Sequence, residues 1–339
     1  MTPGLTPRRI LVGAIVAAVG VAAIVFGLSL SGGRDAAPPV ATSPSAAAPT
    51  APTLLSISVR SLPVPLVAVV GVSSDGRTTA INIPPSLLVT IPGGGDGTIA
   101  EVALRPGETL AATISNVLGT WIGAHATTDM VGLTAIVDRA GGLTLPGSTE
   151  SSSGEQVRAY LEQKTGPERL ARWSQVLSAL LAKPVILQDS DLRGLGELQP
   201  SQEVLSQVSS SQVADLPATP TQGRFLVADQ AGIAKLLSAD LGLEAAPVAR
   251  VAVLNGNGRP GVGESVAGVL IPAGYRVVSS QNAQKFGQKT TQIIAQGASV
   301  QAAAERLHGL LGVGRVIVVD QRSGFADITL VVGEDYKAS

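Results

Sequence analysis

Residues 251–263 read VAVLNGNGRPGVG, and the fold of the C-terminal third turns on how they are read. Val251, Ala252, Val253 and Leu254 are a short apolar run of the kind that forms a buried strand. Asn255-Gly256 and Asn257-Gly258 are turn residues that tolerate positive φ, and a helical pattern starts at Gly263. Strand, glycine-rich turn and helix in that order make either a phosphate cradle or an ordinary tight βα connection.

Working outward, apolar alternation places strands at 248–254, 275–279, 291–294, 315–319 and 327–332, with helices at 263–270 and 300–311. Two β-α-β units in sequence predict a small sheet with two helices over it, a two-layer α/β domain. Gly256-x-Gly258-x-x-Gly261 satisfies the dinucleotide fingerprint. However, the second strand ends in Ser279-Ser280, with no acid to hold a ribose hydroxyl, and Pro272 cuts the helix short. Asn255, Gly256, Gly258 and Gly261 are therefore assigned to a structural strand-to-helix turn. Gly263-Glu264-Ser265-Val266-Ala267 lacks the last glycine of a nucleophile elbow, and His125 and His308, the only histidines, stand in no triad context.

Composition narrows the function. Charged residues are 14% of the 339, well below the usual share of about a quarter, and aromatics are 3%, so the core is small and aliphatic. A net charge of −1 supplies no basic field, which argues against nucleic acid as a partner. With no cysteine, disulfides, thiolate metal sites, thiol catalysis and an N-terminal lipidated cysteine are all excluded.

Residues 10–30 (ILVGAIVAAVGVAAIVFGLSL) carry no charge and as a helix would reach about 31 Å, the thickness of a bilayer's hydrocarbon core. Arg8 and Arg9 precede the run, whereas Arg34 beyond it is followed at once by Asp35. The positive-inside bias thus predicts a cytoplasmic stub at 1–9, a single-pass transmembrane helix at 10–30, and an extracytoplasmic remainder at the cell membrane. A cleavable signal peptide is the alternative, but its apolar core usually runs only about 7–15 residues. Residues 31–53, almost wholly Ala, Pro, Ser, Thr and Gly, read as a disordered tether reaching from about 25 to about 70 Å.

The middle of the chain predicts strands at 54–59, 66–72, 79–83 and 87–91, a hairpin turn at 73–77, a glycine loop at 93–97, and helices at 109–118 and 130–140, giving an α/β or α+β domain. Residues 156–181 form two helical runs separated by Thr165-Gly166-Pro167. Leu170, Trp173, Val176, Leu177, Leu180 and Leu181 make one apolar stripe there. Arg169 and Arg172, three apart, project from nearly the same face and could grip a phosphate or carboxylate together; two solvated surface arginines are the alternative. Residues 188–221 read as a polar, ragged end with a weak helix at 203–208. A short strand and a helix at 230–241 follow, and the domain boundary falls at 244–247.

The segments NIPPSLLVTIPG (82–93), AHATTDMVGLTAIVDRAGGL (124–143) and GEQVRAYLEQKTGPERLARWSQVLSALLAK (154–183) resemble the LytR-CpsA-Psr (LCP) family. The resemblance implies an extracytoplasmic α/β domain that transfers glycopolymers from a polyprenyl-pyrophosphate carrier to peptidoglycan, with carboxylates for Mg²⁺ and arginines for pyrophosphate. The chain departs from that pattern at the decisive positions. Pro85 and Ser86 stand where the family's Ser-Ile-Pro-Arg-Asp has arginine and aspartate. Arg60-Ser61-Leu62 matches its Arg-Ser-Asp without the acid, and Ala159-Tyr160-Leu161-Glu162 places an acid where an arginine belongs. Arg169 and Arg172 do match the family's paired arginines. Residues 248–336 are similar to the LytR C-terminal domain.

The expectation is a degenerate LCP-like domain at 54–243 followed by a LytR C-terminal domain at 248–336. No catalytic residue, metal site or cofactor is assigned. The expected function is non-catalytic binding of cell-wall glycan or peptidoglycan, a polyprenyl-linked glycan precursor, or an envelope protein. The alternative is an active LCP-type phosphotransferase, the one case that calls for Mg²⁺.

Overall fold

The computed structural model describes residues 54–183 without 61, 74–75, 106 and 123, residues 210–243 without 222, and residues 249–337 without 321–324. The expected stub, the apolar run at 10–30, the tether, the weak helix at 203–208 and the boundary at 244–247 lie outside the described residues. Among those described, no helix is long and apolar enough to cross a membrane.

The first half of the described chain supplies β1 (Leu54–Val59), β2 (Leu66–Val72) and β3 (Arg77–Ile83). The hairpin of β4 (Leu88–Ile91) and β5 (Gly95–Thr98) follows, then α1 (Ile99–Val102), α2 (Gly107–Leu118), β6 (Ala124–Thr128) and α3 (Met130–Arg139). Next come α4 (Gly154–Glu162), α5 (Gly166–Leu181), β7 (Ser210–Asp215), a small hairpin of β8 (Ala218–Pro220) and β9 (Leu226–Ala228), and α6 (Gln230–Leu241). The central sheet has the order β6-β1-β2-β3-β7. Every residue of β2 is buried. Its uninterrupted apolar run is what a central strand covered on both faces requires.

Side chains alternate across that sheet. Val67, Val69, Ile81 and Ile83 pack with α1, α2 and α6 on one face. Ala68, Val70 and Ala80 pack with α3, α4 and α5 on the other, around the fully buried Trp173. Local signals set the helix starts. Asp129 caps α3 by accepting from Gly132 N at 2.9 Å, and Ser153 with Gln156 and Thr98 with Glu101 form capping boxes for α4 and α1.

The C-terminal third contains β10 (Arg250–Asn255), α7 (Val262–Leu270), β11 (Arg276–Asn282), β12 (Gln292–Gln296), α8 (Gln301–Leu311), β13 (Arg315–Val319) and β14 (Ile328–Val332). Its sheet order is β11-β10-β14-β12-β13. The pairs β10–β11 and β12–β13 are parallel, as the two β-α-β units predict, and β14 returns between them, parallel to β10 and antiparallel to β12. Val251, Val253, Val266, Leu270, Ile293, Leu307, Ile328 and Leu330 make its separate core.

Several local expectations are corrected. The break between the two long helices is 163–165: Thr165 is the N-cap of α5, and Gly166 and Pro167 lie in its first turn, where proline's missing N–H costs nothing. The glycine loop at 93–97 is in part a strand, since β5 pairs with β4. Residues 210–215, within the stretch read as a ragged polar end, are β7, paired parallel with β3. Polar edge strands carry too little apolar alternation to be read from a pattern.

Candidate functional site

Strand direction defines the site. β1 and β6 are parallel, β3 and β7 are parallel, and β2 runs against its neighbours β1 and β3. The carboxyl ends of β1, β3, β6 and β7 therefore share one edge of the central sheet. In α/β sheets ligands bind outside such an edge, because loops and helix starts converge there.

Arg60 follows β1 at this edge. Its backbone N–H donates to Thr128 O at 3.0 Å, and its Nη2 donates to the carbonyl of Arg105. Its Nε is buried with no acceptor, and burial lowers its pKa from the usual arginine value. A guanidinium that has lost water without gaining a counter-charge lacks an anion's compensation. Two strands away at the same edge, Asn82 near the end of β3 is fully buried against α5, on the opposite face from Arg105. Its Nδ2 donates to Ser174 Oγ at 2.8 Å, Asp215 Oδ1 at 3.1 Å and Leu170 O at 3.3 Å. Its Oδ1 accepts from nothing. Among the described residues, Arg60 Nε and Asn82 Oδ1 are thus unsatisfied on opposite faces of this edge.

Where the LCP resemblance calls for carboxylates, the side chains are unsuited to a metal ion. Leu62 is 6% exposed and part of the apolar core against α3–α5. Pro85 and Ser86 form a turn whose carbonyls accept from Ala100 N and Leu226 N, at 2.9 and 3.1 Å. Among the described residues no three His, Cys, Asp or Glu side chains converge. These side chains do not fit Mg²⁺, which takes oxygen ligands.

Arg169 and Arg172 both meet the C-terminal end of α4. Arg169 is 6% exposed, and its Nε is shared between Lys164 O at 2.7 Å and Leu161 O at 3.2 Å. Arg172 stacks on the Tyr160 ring at 4.2 Å, donates to Tyr160 O, and reaches Gln163 Oε1 at 3.3 Å. The carbonyl end of a helix is electronegative, so two cations there are favourable. The structure brings the two arginines together on a helix end, next to Leu170, which touches Asn82.

The glycine turn satisfies itself. Asn255 Oδ1 accepts from Gly258 N and Asn257 Oδ1 from Arg259 N, each at 2.9 Å, while Gly256 N donates to Val332 O at 3.0 Å. The Gly256, Gly258 and Arg259 amides thus already have partners. Gly258 at φ +77° supplies the left-handed turn residue, and Gly261 at φ +79° precedes α7. Ser265 Oγ lies 3.0 Å from Tyr336 OH, and the exposed His308 has its Nε2 3.1 Å from Gly314 O. No serine–histidine pair is formed by these groups.

Arg60 and Asn82 escaped sequence reasoning as open polar groups, because an unsatisfied atom is a property of packing. The legible signal was Arg60 placed directly after a strand.

Residues 248–336 match the family described as LytR cell envelope-related transcriptional attenuator. No curated protein matches the chain. Among solved structures it is similar to ywtF from Bacillus subtilis, a putative transcriptional regulator, at 16% identity and TM-score 0.49, covering 64% of this chain and 100% of that one. A second is the LytR-CPS2A-psr family protein YwtF (TagT) with bound octaprenyl pyrophosphate lipid, at 16% identity and TM-score 0.46, covering 57% of this chain and 92% of that one. A third is a transcriptional regulator from Enterococcus faecalis, at 18% identity and TM-score 0.44, covering 58% of this chain and 90% of that one.

Proposed function

We propose that the chain is a membrane-anchored, extracytoplasmic cell-envelope protein whose carboxyl edge binds a phosphate-bearing envelope ligand, such as a polyprenyl-linked glycan precursor, without turning it over. The apolar run at 10–30 and the arginines before it support the anchoring and the topology. The match of residues 248–336 to a cell-envelope-related family supports the compartment.

The observation that carries the proposal is Arg60. It is partly desolvated, its Nε has no acceptor, and the position two residues on, where a metal-binding acid would stand, is a core leucine. A cation so placed favours an anionic ligand. A Mg²⁺-dependent displacement needs oxygen ligands as well. An LCP-type phosphotransferase with metal ligands drawn from elsewhere is the competing account, and it differs in its metal requirement.

The test is titration of the soluble ectodomain with inorganic pyrophosphate, with Mg²⁺ and with chelator. Equal binding in both, lost in Arg60→Met, is expected. Binding that requires Mg²⁺, or that survives in Arg60→Met, overturns the assignment.

A further inference from the structure

The C-terminal domain is fastened to the N-terminal one along β11, an edge strand of its own sheet. The bonds on the outer side of β11 are made by side chains and one turn amide of the other domain. Asn116, in the last turn of α2 and 5% exposed, donates from Nδ2 to Val277 O and accepts at Oδ1 from Val277 N, both at 2.7 Å. Its amide reproduces the donor and acceptor of a neighbouring strand residue. Thr90 Oγ1 donates to Val278 O at 3.3 Å, and Gly93 N donates to Ser280 Oγ at 2.9 Å. Arg276 returns bonds to the end of α2, at Asn116 O and Val117 O, both at 3.3 Å.

The approach is close enough to exclude side chains. A Cβ on Gly93 would lie 2.8 Å from Glu264 N, and one on Gly263 would lie 2.9 Å from Gly93 Cα. The start of α7 therefore packs backbone to backbone against the β4–β5 turn. Thr109 Oγ1 to Glu264 Oε1, at 3.4 Å, adds a contact from the start of α2.

These contacts bracket one residue of the site. Arg105, whose carbonyl accepts from Arg60, lies between two elements that β11 holds. On one side, β4–β5 runs directly into α1, made stiff by the Thr98–Glu101 capping box and by Arg105 N donating to Val102 O at 2.9 Å. On the other side, α2 is secured at its far end by Asn116 and Arg276. The Arg105 guanidinium also lies over Gly94, where a Cβ would stand 2.6 Å from Nη1.

We propose that the C-terminal domain is a docked brace for the carboxyl edge: through the Gly93–Gly94 turn and α2 it fixes Arg105, and the Arg105 carbonyl fixes the Arg60 guanidinium. Arg105, Asn116 and Ser280 are positioning residues in this account. Undocking the domain releases Arg60, and an anion held by Arg60 favours the docked state, since coupling between two sites is reciprocal. The second statement rests on the assignment of Arg60 as an anion site; the first does not.

The experiment uses the ectodomain with both domains present. Hydrogen exchange is followed in Asn116→Leu, in the milder Ser280→Ala, and in the two combined. The expected result is faster exchange in β11 by about tenfold or more, the scale of a lost buried hydrogen bond. The 60–66 and 99–105 segments should accelerate with it, while 154–181 keeps its protection and reports that the N-terminal domain remains folded. Faster β11 exchange with 60–66 unchanged overturns the brace, as does unchanged β11 exchange in the double variant. If 154–181 loses protection in Asn116→Leu, Ser280→Ala alone decides by the same ordering. A pyrophosphate titration of the same proteins separates the two statements. Weakened binding in the undocked variant supports coupling, and unchanged binding there overturns it. Absence of binding in the wild-type protein removes the anion assignment and leaves the brace to be judged by exchange alone.

Discussion

Replacing Arg169 and Arg172 separately by alanine distinguishes a helix-capping role from a ligand-binding one. Arg169 is buried, and its charged Nε serves two carbonyls beyond and within the last turn of α4. Hydrogen bonds from a charged group contribute about 1.5–3 kcal/mol each, and leaving the buried Leu161 carbonyl without this donor adds to the loss. Because one N–H is divided between two acceptors, Arg169→Ala should cost about 2–4 kcal/mol. Arg172 is half-buried, and it loses one stacking contact, worth about 0.5–1 kcal/mol where exposed, and its bonds to Tyr160 O and Gln163. About 1–2 kcal/mol is expected. Urea unfolding followed by Trp173 fluorescence reads both, as a lower midpoint with an unchanged slope. If both variants unfold within about 0.5 kcal/mol of wild type, the range of an ordinary surface change, the arginines are not holding α4 and the capping account is wrong. A loss of pyrophosphate affinity with stability intact would restore them as the anion pair that their spacing suggests.

Arg60→Met should leave the urea midpoint unchanged or raise it, since a partly desolvated cation with an unmet N–H is exchanged for an apolar side chain of similar length; a loss above about 2 kcal/mol would show that its bond to Arg105 O dominates. The Arg250–Asp327 fork, with contacts of 2.9 and 3.1 Å, joins the starts of β10 and β14, and the bond from Arg250 holds the Asp327 carboxyl below its usual value. A depressed folded-state value means that this stability is complete above the ordinary aspartate pKa of about 3.9 and is lost as pH falls through the depressed value. Asp327→Asn should therefore lower stability at pH 7 and flatten the decline below about pH 4 in acid unfolding curves; an unaltered acid limb would contradict the assignment.

How much of this was legible in the sequence depended on which force shaped each element. β2 and the 230–241 helix are set by apolar pattern, and their bounds match the strand at 66–72 and the helix expected there. β7 could not be read, because Ser210, Ser211, Gln212 and Asp215 are polar and the strand is held by the ladder to β3. The two arginines were visible as a pair, but spacing places them on a helix face and says nothing of what meets that face. The domain join shows the same limit. Asn116 lies within a helical pattern that says nothing of its partner, and only the fold brings its Nδ2 within 2.7 Å of Val277 O. Gly263 read as the start of a helix, and nothing in that pattern shows that its missing side chain is what lets Gly93 approach.

The central claim, binding at the carboxyl edge without turnover, is tested most directly by giving the ectodomain a polyprenyl-pyrophosphate-linked glycan with Mg²⁺ and following the fate of the glycan. The account predicts that the intact lipid-linked molecule stays bound, that none is transferred to peptidoglycan, and that no polyprenyl phosphate is released. Transfer or release that depends on Mg²⁺ and on this protein would contradict it.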